Sequence, residues 1–146
     1  MTSLSRIFRI SISDKKGEKK WNVPRAELRQ NFGIIGDAHA GSERQVSLLP
    51  LESFAEVEIK GLAVSPGEFA ENITTLGLDF SQAAPGKRLI VGKQVELEIT
   101  QIGKRCHHGC YIRTIVGDCI MPREGIFARV VKGGTVREGD IILWKH

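Results

Sequence analysis

Length, composition and charge exclude several classes of protein. The chain has 146 residues, 41% of them hydrophobic, which suffices for one domain over residues 1–146 without disulfides or a structural metal. No apolar run approaches the ~20 residues that cross a membrane. The net charge of +4 permits nucleic-acid binding, but aromatic residues are sparse at 6% and do not alternate with basic ones. We therefore expect neither a nucleic-acid nor a membrane partner.

The cysteines and the first residues favour a cytoplasmic location. Three thiols cannot all pair within one chain, and the start MTSLSRIFRISIS lacks the apolar block and cleavage site of a signal peptide. Reduced thiols are typical of the cytoplasm.

Most of the predicted elements are short strands. Phe8, Ile10 and Ile12 alternate with polar residues, which indicates a half-buried strand near the start of the chain. The charge run 14–20 surrounds Gly17, and we interpret it as a solvated hairpin tip rather than a phosphate contact.

Two short helices are predicted between these strands. The shorter one occupies Pro24 to Gln30. The other runs from Pro50 to Lys60, where a proline near the first turn and a following glycine are typical helix boundaries. Its apolar face is expected to hold Leu51, Phe54, Ala55 and Ile59.

Further strands are predicted in the second half of the chain. Residues 89–102 carry a long pattern in which Val95, Leu97 and Ile99 alternate with polar residues. Shorter strands are predicted at 126–131 and 141–144. Many short strands separated by glycine turns favour a barrel or sandwich, and we expect a mainly β fold.

The first polar segment, residues 33–49, reads GIIGDAHAGSERQVSLL. Glycines let a backbone come close to a ligand, and His39, Arg44 and exposed amides are suited to bind phosphate or carboxylate. An ordinary polar connection, in which Asp37 and Ser42 cap local turns, explains the same residues equally well. Spacing alone leaves both interpretations open.

The second polar segment, residues 66–80, reads PGEFAENITTLGLDF. Glu68 and Glu71 offer carboxylates for acid–base chemistry, but paired glutamates are also frequent in ordinary turns. We therefore favour structural turns on the residues alone. Further hydrogen-bonding groups in the segment belong to Asn72, Thr74 and Thr75.

The third segment, residues 103–121, holds all three cysteines and two of the four histidines. Its compact cluster consists of Cys106, His107, His108 and Cys110. The cysteine spacing differs from the paired knuckles of closed zinc sites, so zinc is one interpretation among others. A single activated thiol fits at least as well, because neighbouring Lys and Arg residues favour the thiolate. The interpretation as a buried, inert cysteine suits Cys119 best.

In their order along the chain, these segments resemble the MOSC domain, named after the C-terminal domain of molybdenum cofactor sulfurases. The resemblance rests on GDAHAG followed by RQVSLL, on PGEFAENITTLGL, on a cysteine after a VG turn and strand, and on GIFARVVKGGTVREGD. It extends from about Ile7 to the C-terminus and is closest to small prokaryotic members. It implies a single-domain β-barrel with one or two short helices that binds molybdenum cofactor (molybdopterin).

The resemblance also implies roles for individual residues. Cys106 takes the place of the family's functional cysteine, as a sulfur carrier or as a molybdenum ligand, with His107 beside it as a proton carrier. Arg105 precedes Cys106 where many members have proline, so Cys110 stays a rival thiol and metal ligand. The residues implied to bind the cofactor are His39, Arg44, Gln45, Asn72, Thr74 and Arg123.

The implied function is sulfur transfer to the molybdenum centre, or oxo-transfer chemistry there, through a reactive cysteine. The chain contains no pyridoxal-phosphate desulfurase domain and no flavin or haem motif. A sulfurtransferase-like protein would then need an external sulfur donor such as a cysteine desulfurase, and a molybdenum-dependent reductase would need an electron donor. The implied protein partners are molybdenum cofactor biosynthesis proteins or molybdoenzymes.

Two alternatives stay open at this point, and with them the question of whether the chain is an enzyme. The first is a non-catalytic carrier that holds molybdenum cofactor and passes it on. The second is a zinc-binding module without a pterin, which would lose its fold on chelation. Its ligands would be Cys106, His107 or His108, Cys110 and Cys119.

Overall fold

The computed structural model describes residues 4–16, 18–59, 64–103 and 125–146, and most of them lie in two β-sheets. The strands and the helix of this part of the chain are β1 (Arg6–Ile12), β2 (Trp21–Val23), β3 (Arg25–Arg29), β4 (Gly33–Ile34), β5 (Val46–Pro50), α1 (Phe54–Ile59), β6 (Ile73–Leu76), β7 (Arg88–Val91), β8 (Val95–Ile102), β9 (Ile126–Lys132), β10 (Gly134–Arg137) and β11 (Ile142–Trp144). The prediction of a mainly β fold is confirmed.

The larger sheet is mixed and open. Its order is β11-β7-β8-β9-β5-β6-β1-β2, with β5 and β6 parallel to each other. From Ile10 onward β2 occupies the outer edge of β1, so only the start of β1 is available to the far end of the sheet. An isolated bridge between Arg6 and Ile141 forms there. The expected closed barrel is therefore corrected to open sheets among the described strands, because a strand has only two edges for pairing.

Alternation along β8 orients one face of the sheet toward the core, as predicted. Val95, Leu97 and Ile99 are fully buried, while Glu96 and Glu98 lie half-buried on the opposite face. Successive side chains of a strand point to opposite faces, so a single apolar face suffices to fix this orientation.

The alternation predicted for β1 is partly wrong. The pairing of β1 with β6 shifts between Ile7 and Arg9, which is the signature of a β-bulge. As a result Ile7 and Ile10 are buried, whereas Phe8 is only half-buried. A bulge adds one residue to one strand, and that extra residue breaks the period of two.

The helix predicted over Pro24 to Gln30 is wrong, because these residues form β3. The strand pairs with β10 on one side and with β4 on the other. Ala26 and Leu28 face the core, and the charged residues between them are exposed. Pairing on both edges outweighs the helix propensity of Ala, Glu, Leu and Arg in this segment.

The helix predicted over Pro50 to Lys60 is shorter than expected. Pro50 still belongs to β5, Leu51–Ser53 form a 3₁₀ turn, and α1 covers only Phe54–Ile59. Phe54 is buried and packs edge-on against Phe69 at 5.1 Å between ring centroids. Ala55 is exposed, contrary to the expected apolar face.

Both sheets contribute to one hydrophobic core. Leu28 and Val136 of the small sheet belong to the same buried cluster as Leu48, Leu97 and Ile99 of the large sheet. Within the described ranges, no helix has the length and apolar character needed to cross a membrane.

Candidate functional site

The loop between β4 and β5 carries three of the predicted site residues, and its two ends lie close together. A Cβ at Gly33, where φ is +126°, would lie 3.0 Å from the backbone oxygen of Gln45. Glycine tolerates both the left-handed backbone and the close approach. The chain is thereby folded back, and His39 and Arg44 lie between the two ends that meet.

A buried ion pair lies under this loop. Asp37 and Lys20 have fully buried side chains, and Lys20 Nζ donates to Asp37 Oδ1 at 2.8 Å. The backbone N–H of Ser13 donates to the same oxygen at 3.1 Å. Lys20 thus departs from the predicted solvated hairpin tip, although Asp14 and Lys16 of the same run are exposed.

Asp37 is held in its ionised form. Burial by itself would raise the pKa of this carboxyl, but the hydrogen bonds from the Lys20 ammonium and the His39 backbone N–H, together with the charge of Lys20, outweigh burial and hold the pKa well below the usual range. The ion pair therefore persists at neutral pH.

His39 is fixed by contacts on two sides. Its backbone N–H donates to Asp37 Oδ2 at 3.1 Å, and its ring Nδ1 lies 3.1 Å from Lys20 Nζ. The backbone oxygen of His39 accepts from the Ser42 hydroxyl at 2.7 Å. The side chain keeps 21% of its surface exposed, so the ring is both oriented and accessible.

Arg44 follows on the same loop and is connected to His39 through Ser42. The Arg44 backbone N–H donates to the Ser42 hydroxyl oxygen at 3.2 Å. The guanidinium carbon of Arg44 lies 5.5 Å from the centroid of the Phe127 ring. Arg44 Nε donates a long hydrogen bond of 3.4 Å to Gln101 Oε1. Its Nη atoms have no hydrogen-bond partner among the residues that the structure describes. Such a group is suited to bind an anion.

Gln101 continues these contacts to the end of β8. Its side-chain Nε2 donates to the backbone oxygen of Gly103 at 2.7 Å, and the N–H of Gly103 donates to Gly125 at 2.7 Å. Gly103 and Gly125 border the cysteine-rich segment. Residues 104–124 lie outside the described residues, and the predicted residues among them are Cys106, His107, His108, Cys110, Cys119 and Arg123.

Gln45 has a partner inside the fold. Its side-chain Oε1 accepts from the N–H of Val130 in β9 at 3.0 Å. The residue is half-buried, and its contact with a cofactor stays a prediction.

The second predicted segment, residues 66–80, contributes side chains to a buried hydrogen-bond network. Asn72 Oδ1 accepts from the N–H and the hydroxyl of Ser47 at 3.0 and 3.2 Å, and Asn72 Nδ2 donates to the Ser11 backbone oxygen at 3.1 Å. Thr74 donates its hydroxyl to Glu71 Oε2 at 2.8 Å. Asn72 and Thr74 are both fully buried, which ties β1, β5 and β6 together. Cofactor contact by these two side chains stays a prediction.

Glu71 is buried, and no cation pairs with it among the residues that the structure describes. Its Oε2 also accepts from the Gly67 N–H at 3.0 Å, whereas Oε1 has no partner in the described part of the chain. Burial raises the pKa of this carboxyl, and the hydrogen bonds from Gly67 and Thr74 only partly oppose the shift. A Cβ at Gly67 would lie 2.4 Å from the backbone oxygen of Lys20, which leaves room only for glycine.

Sequence reasoning missed two residues of this region. Lys20 stands at the end of a charge run and resembles its exposed neighbours, so the only signal is its position just before β2. Gln101 looks like an ordinary polar residue at the exposed end of a strand. Within residues 4–16, 18–59, 64–103 and 125–146, no three His, Cys, Asp or Glu residues are grouped for a metal ion.

Comparisons with known proteins identify a matching domain family and several solved structures of similar fold. The model of the MOSC domain matches residues 35–143. The crystal structure of the YuaD protein from Bacillus subtilis superposes with a TM-score of 0.80 at 19% identity, covering 96% of this chain and 94% of that one. A search of the curated proteins gave no match.

Two YiiM structures are also similar to this chain. The one from Geobacillus stearothermophilus has a TM-score of 0.75 at 19% identity, and the two chains are covered to 97% and 75%. The one from Escherichia coli has a TM-score of 0.68 at 18% identity, with coverages of 100% and 70%. At such identities the superpositions establish a shared fold.

Proposed function

Because this chain belongs to the MOSC domain family, we propose that it binds molybdenum cofactor and acts on it through a reactive cysteine. Its chemistry is sulfur transfer to the molybdenum centre or oxo-transfer there. We place this chemistry in the cytoplasm, where cysteines remain reduced.

The observation that carries the proposal is the chain of contacts from Arg44 through Gln101 to Gly103. Arg44 reaches Gln101 at 3.4 Å, and Gln101 reaches Gly103 at 2.7 Å. Cys106 follows Gly103 by three residues, so covalent geometry alone keeps their Cα atoms within about 11 Å. The contacts of a guanidinium suited to bind an anion thus lead to the point where the chain enters the cysteine segment, which supports a ligand with a phosphate at one end and a metal at the other.

The described residues fit the phosphate end of such a cofactor. Arg44 offers Nη donors above the Phe127 ring, and His39 offers an accessible imidazole edge. Guanidinium and imidazole N–H groups are common phosphate ligands. Asn72 and Thr74 are turned toward partners in the core, so His39 and Arg44 are the stronger candidates for direct contact.

The chemical step belongs to the cysteine segment. A thiolate is a soft ligand and suits molybdenum, and it also carries sulfur as a persulfide. The bound cofactor would supply a metal centre that accepts sulfur or exchanges oxygen. Cys106, with Arg105 and His107 beside it, is our first candidate for the thiol, and Cys110 is the second. Arg123 is proposed as an additional anion ligand.

The proposed chemistry requires a partner that supplies either sulfur or electrons. A sulfur-transfer role needs an external donor such as a cysteine desulfurase, and a reductase role needs an electron donor. Molybdenum cofactor biosynthesis proteins or molybdoenzymes are the corresponding sources and recipients.

The test is the molybdenum and pterin content of protein purified without air from a molybdate-supplied host. Four variants are compared with the wild type: Cys106→Ser with Cys119→Ser as its control, and Arg44→Gln with the exposed Arg25→Gln as its control. We expect stoichiometric cofactor in the wild type and both controls, and strongly reduced cofactor in Arg44→Gln.

Cys106→Ser distinguishes the two chemistries. Loss of molybdenum in this variant indicates direct ligation, whereas retained molybdenum and a wild-type chain heavier by about 32 Da at Cys106, one sulfur atom, indicate sulfur carriage. Stoichiometric zinc without pterin in all five proteins would contradict the proposal and support the zinc module.

A further inference from the structure

Lys20 occupies an unusual position for a lysine. Its side chain is fully buried, and its Nζ lies 2.8 Å from Asp37 Oδ1 and 3.1 Å from the Ser13 hydroxyl oxygen. The same Nζ lies 3.1 Å from Nδ1 of His39. A lysine ammonium has three protons and no acceptor, so an atom in contact with it must accept.

This constraint fixes the protonation pattern of the His39 ring. A neutral imidazole carries its proton on one nitrogen only. Because Nδ1 faces the Lys20 ammonium, Nδ1 must hold a lone pair, and the proton must be on Nε2. A proton on Nδ1 would point at a positive charge across 3.1 Å.

Asp37 does not compete for Nδ1 in this arrangement. Its Oδ2 lies 3.7 Å from Nδ1, which is too long for a hydrogen bond, and instead accepts from the His39 backbone N–H at 3.1 Å. Its Oδ1 is occupied by Lys20 at 2.8 Å. The carboxylate therefore positions the backbone of His39 and the ammonium, and the ammonium orients the ring.

We propose that Lys20 is a positioning residue, which fixes His39 as the tautomer with its proton on Nε2 and so makes the exposed edge of the ring a hydrogen-bond donor. Within the described part of the chain, Nε2 has no hydrogen-bond partner, and 21% of the side chain is exposed. A donor at this edge requires an acceptor oxygen in the ligand, such as that of a phosphate. That this oxygen belongs to molybdenum cofactor rests on the proposed function, but the tautomer does not.

The same tautomer excludes a second kind of ligand. A metal ion binds the unprotonated nitrogen of an imidazole, and that nitrogen, Nδ1, is covered by Lys20. His39 is thereby specified as an anion ligand and not as a metal ligand.

The first experiment uses the wild-type protein. A long-range ¹H–¹⁵N spectrum at mildly alkaline pH, where imidazoles are neutral, distinguishes the two ring nitrogens of each histidine. The His39 signals are identified by their loss in His39→Gln. We expect a protonated Nε2, an unprotonated Nδ1 and a coupling from Nδ1 to slowly exchanging Lys20 ammonium protons. A protonated Nδ1, an equal mixture, or the absence of any link to Lys20 overturns the proposal.

The second experiment compares Lys20→Met with Lys16→Met, which changes an exposed lysine of the same hairpin. Without the ammonium, Nδ1 still lies 3.7 Å from Oδ2 of the Asp37 carboxylate, so we expect the proton to move to Nδ1 in Lys20→Met only. Retention of the Nε2 proton in a folded Lys20→Met overturns the proposal. Where Lys20→Met does not fold, the Lys20 coupling in the wild-type spectrum decides.

Inorganic phosphate serves as the ligand probe. We expect Lys20→Met to bind phosphate roughly tenfold more weakly than the wild type, since one charge-assisted hydrogen bond is lost, and Lys16→Met to bind as the wild type does. Wild-type protein that shows the Nε2 tautomer but binds no phosphate contradicts the proposed anion site and leaves the positioning role standing. Wild-type protein that binds phosphate but carries the ring proton on Nδ1 overturns the positioning role and leaves the anion site standing.

Discussion

Asp37 and Glu71 are two buried carboxylates in opposite electrostatic settings. Asp37 faces the ammonium of Lys20 at 2.8 Å, and its pKa lies well below the usual range, with burial as the opposing influence. Glu71 accepts from Gly67 and from the Thr74 hydroxyl, and burial raises its pKa. One region is therefore built around an ion pair and the other around neutral hydrogen bonds.

The contrast teaches what burial does and does not decide. Removing a carboxylate from water always disfavours its charged form, and only a nearby cation or several strong donors reverse the effect. Asp37 has such a cation, and Glu71 has none within the described part of the chain. The charged region lies under the loop that presents His39 and Arg44, whereas the neutral region lies between strands, where it joins β1, β5 and β6.

We expect the largest loss of stability when the ion pair of the charged region is removed. Asp37→Asn removes the counter-charge of Lys20 but keeps the size of the side chain. We expect a loss of about 3–5 kcal/mol in the free energy of unfolding at neutral pH, because the ammonium is left buried and unpaired. Urea unfolding followed by circular dichroism measures it. A loss as small as that of Glu71→Gln would show that the ion pair contributes no more than the neutral network.

We expect an intermediate loss of stability when a hydrogen-bonding side chain of the neutral region is removed. Asn72→Ala leaves the Ser47 N–H and the Ser11 backbone oxygen without their partner, and we expect a loss of about 2–3 kcal/mol. Asn22→Ala is the matched control, since Asn22 contacts the hydroxyl of the same Ser11 from an exposed position. Equal losses in the two variants, measured from urea midpoints, would argue against the buried network as the cause.

The smallest expected effect concerns Glu71→Gln and depends on pH. The folded pKa of Glu71 is raised, so its favourable contribution is complete below the unfolded value of roughly 4.3 and declines as pH rises through the folded value. At neutral pH we expect Glu71→Gln to differ from the wild type by less than about 1 kcal/mol, with equal or higher stability. The decline with rising pH should be reduced in the variant.

Asp37 changes the free energy of unfolding with pH in the opposite direction to Glu71. Its folded pKa is lowered, so its contribution is present above the unfolded value of roughly 3.9 and is lost as pH falls through the folded value. Unfolding curves from neutral pH down to about pH 4 should therefore show the change due to Glu71, and curves from about pH 4 down to about pH 2 should show the loss due to Asp37. Parallel pH profiles for Asp37→Asn and Glu71→Gln would remove the distinction between the two regions.

Local patterns predicted the strands well where one face of a strand is buried without interruption. Val95, Leu97 and Ile99 alternate with polar residues, and this period of two fixes which face meets the core. The same reasoning failed for Phe8, because a bulge adds a residue that no local pattern signals. It failed for Pro24 to Gln30 because pairing with β10 and β4 is a property of distant residues.

The sequence by itself indicated the family through the resemblance of several motifs in their order along the chain. It also indicated the mainly β fold and the loop that carries His39 and Arg44, since both depend on residue types at short spacing. Only the tertiary structure decided that Lys20 is buried against Asp37, that Glu71 is buried among neutral donors, and that Arg44 reaches Gln101. Each of these depends on which distant segments meet in the fold. Burial and the nearest charge set the state of an ionisable group, and neither is a property of its neighbours in the chain.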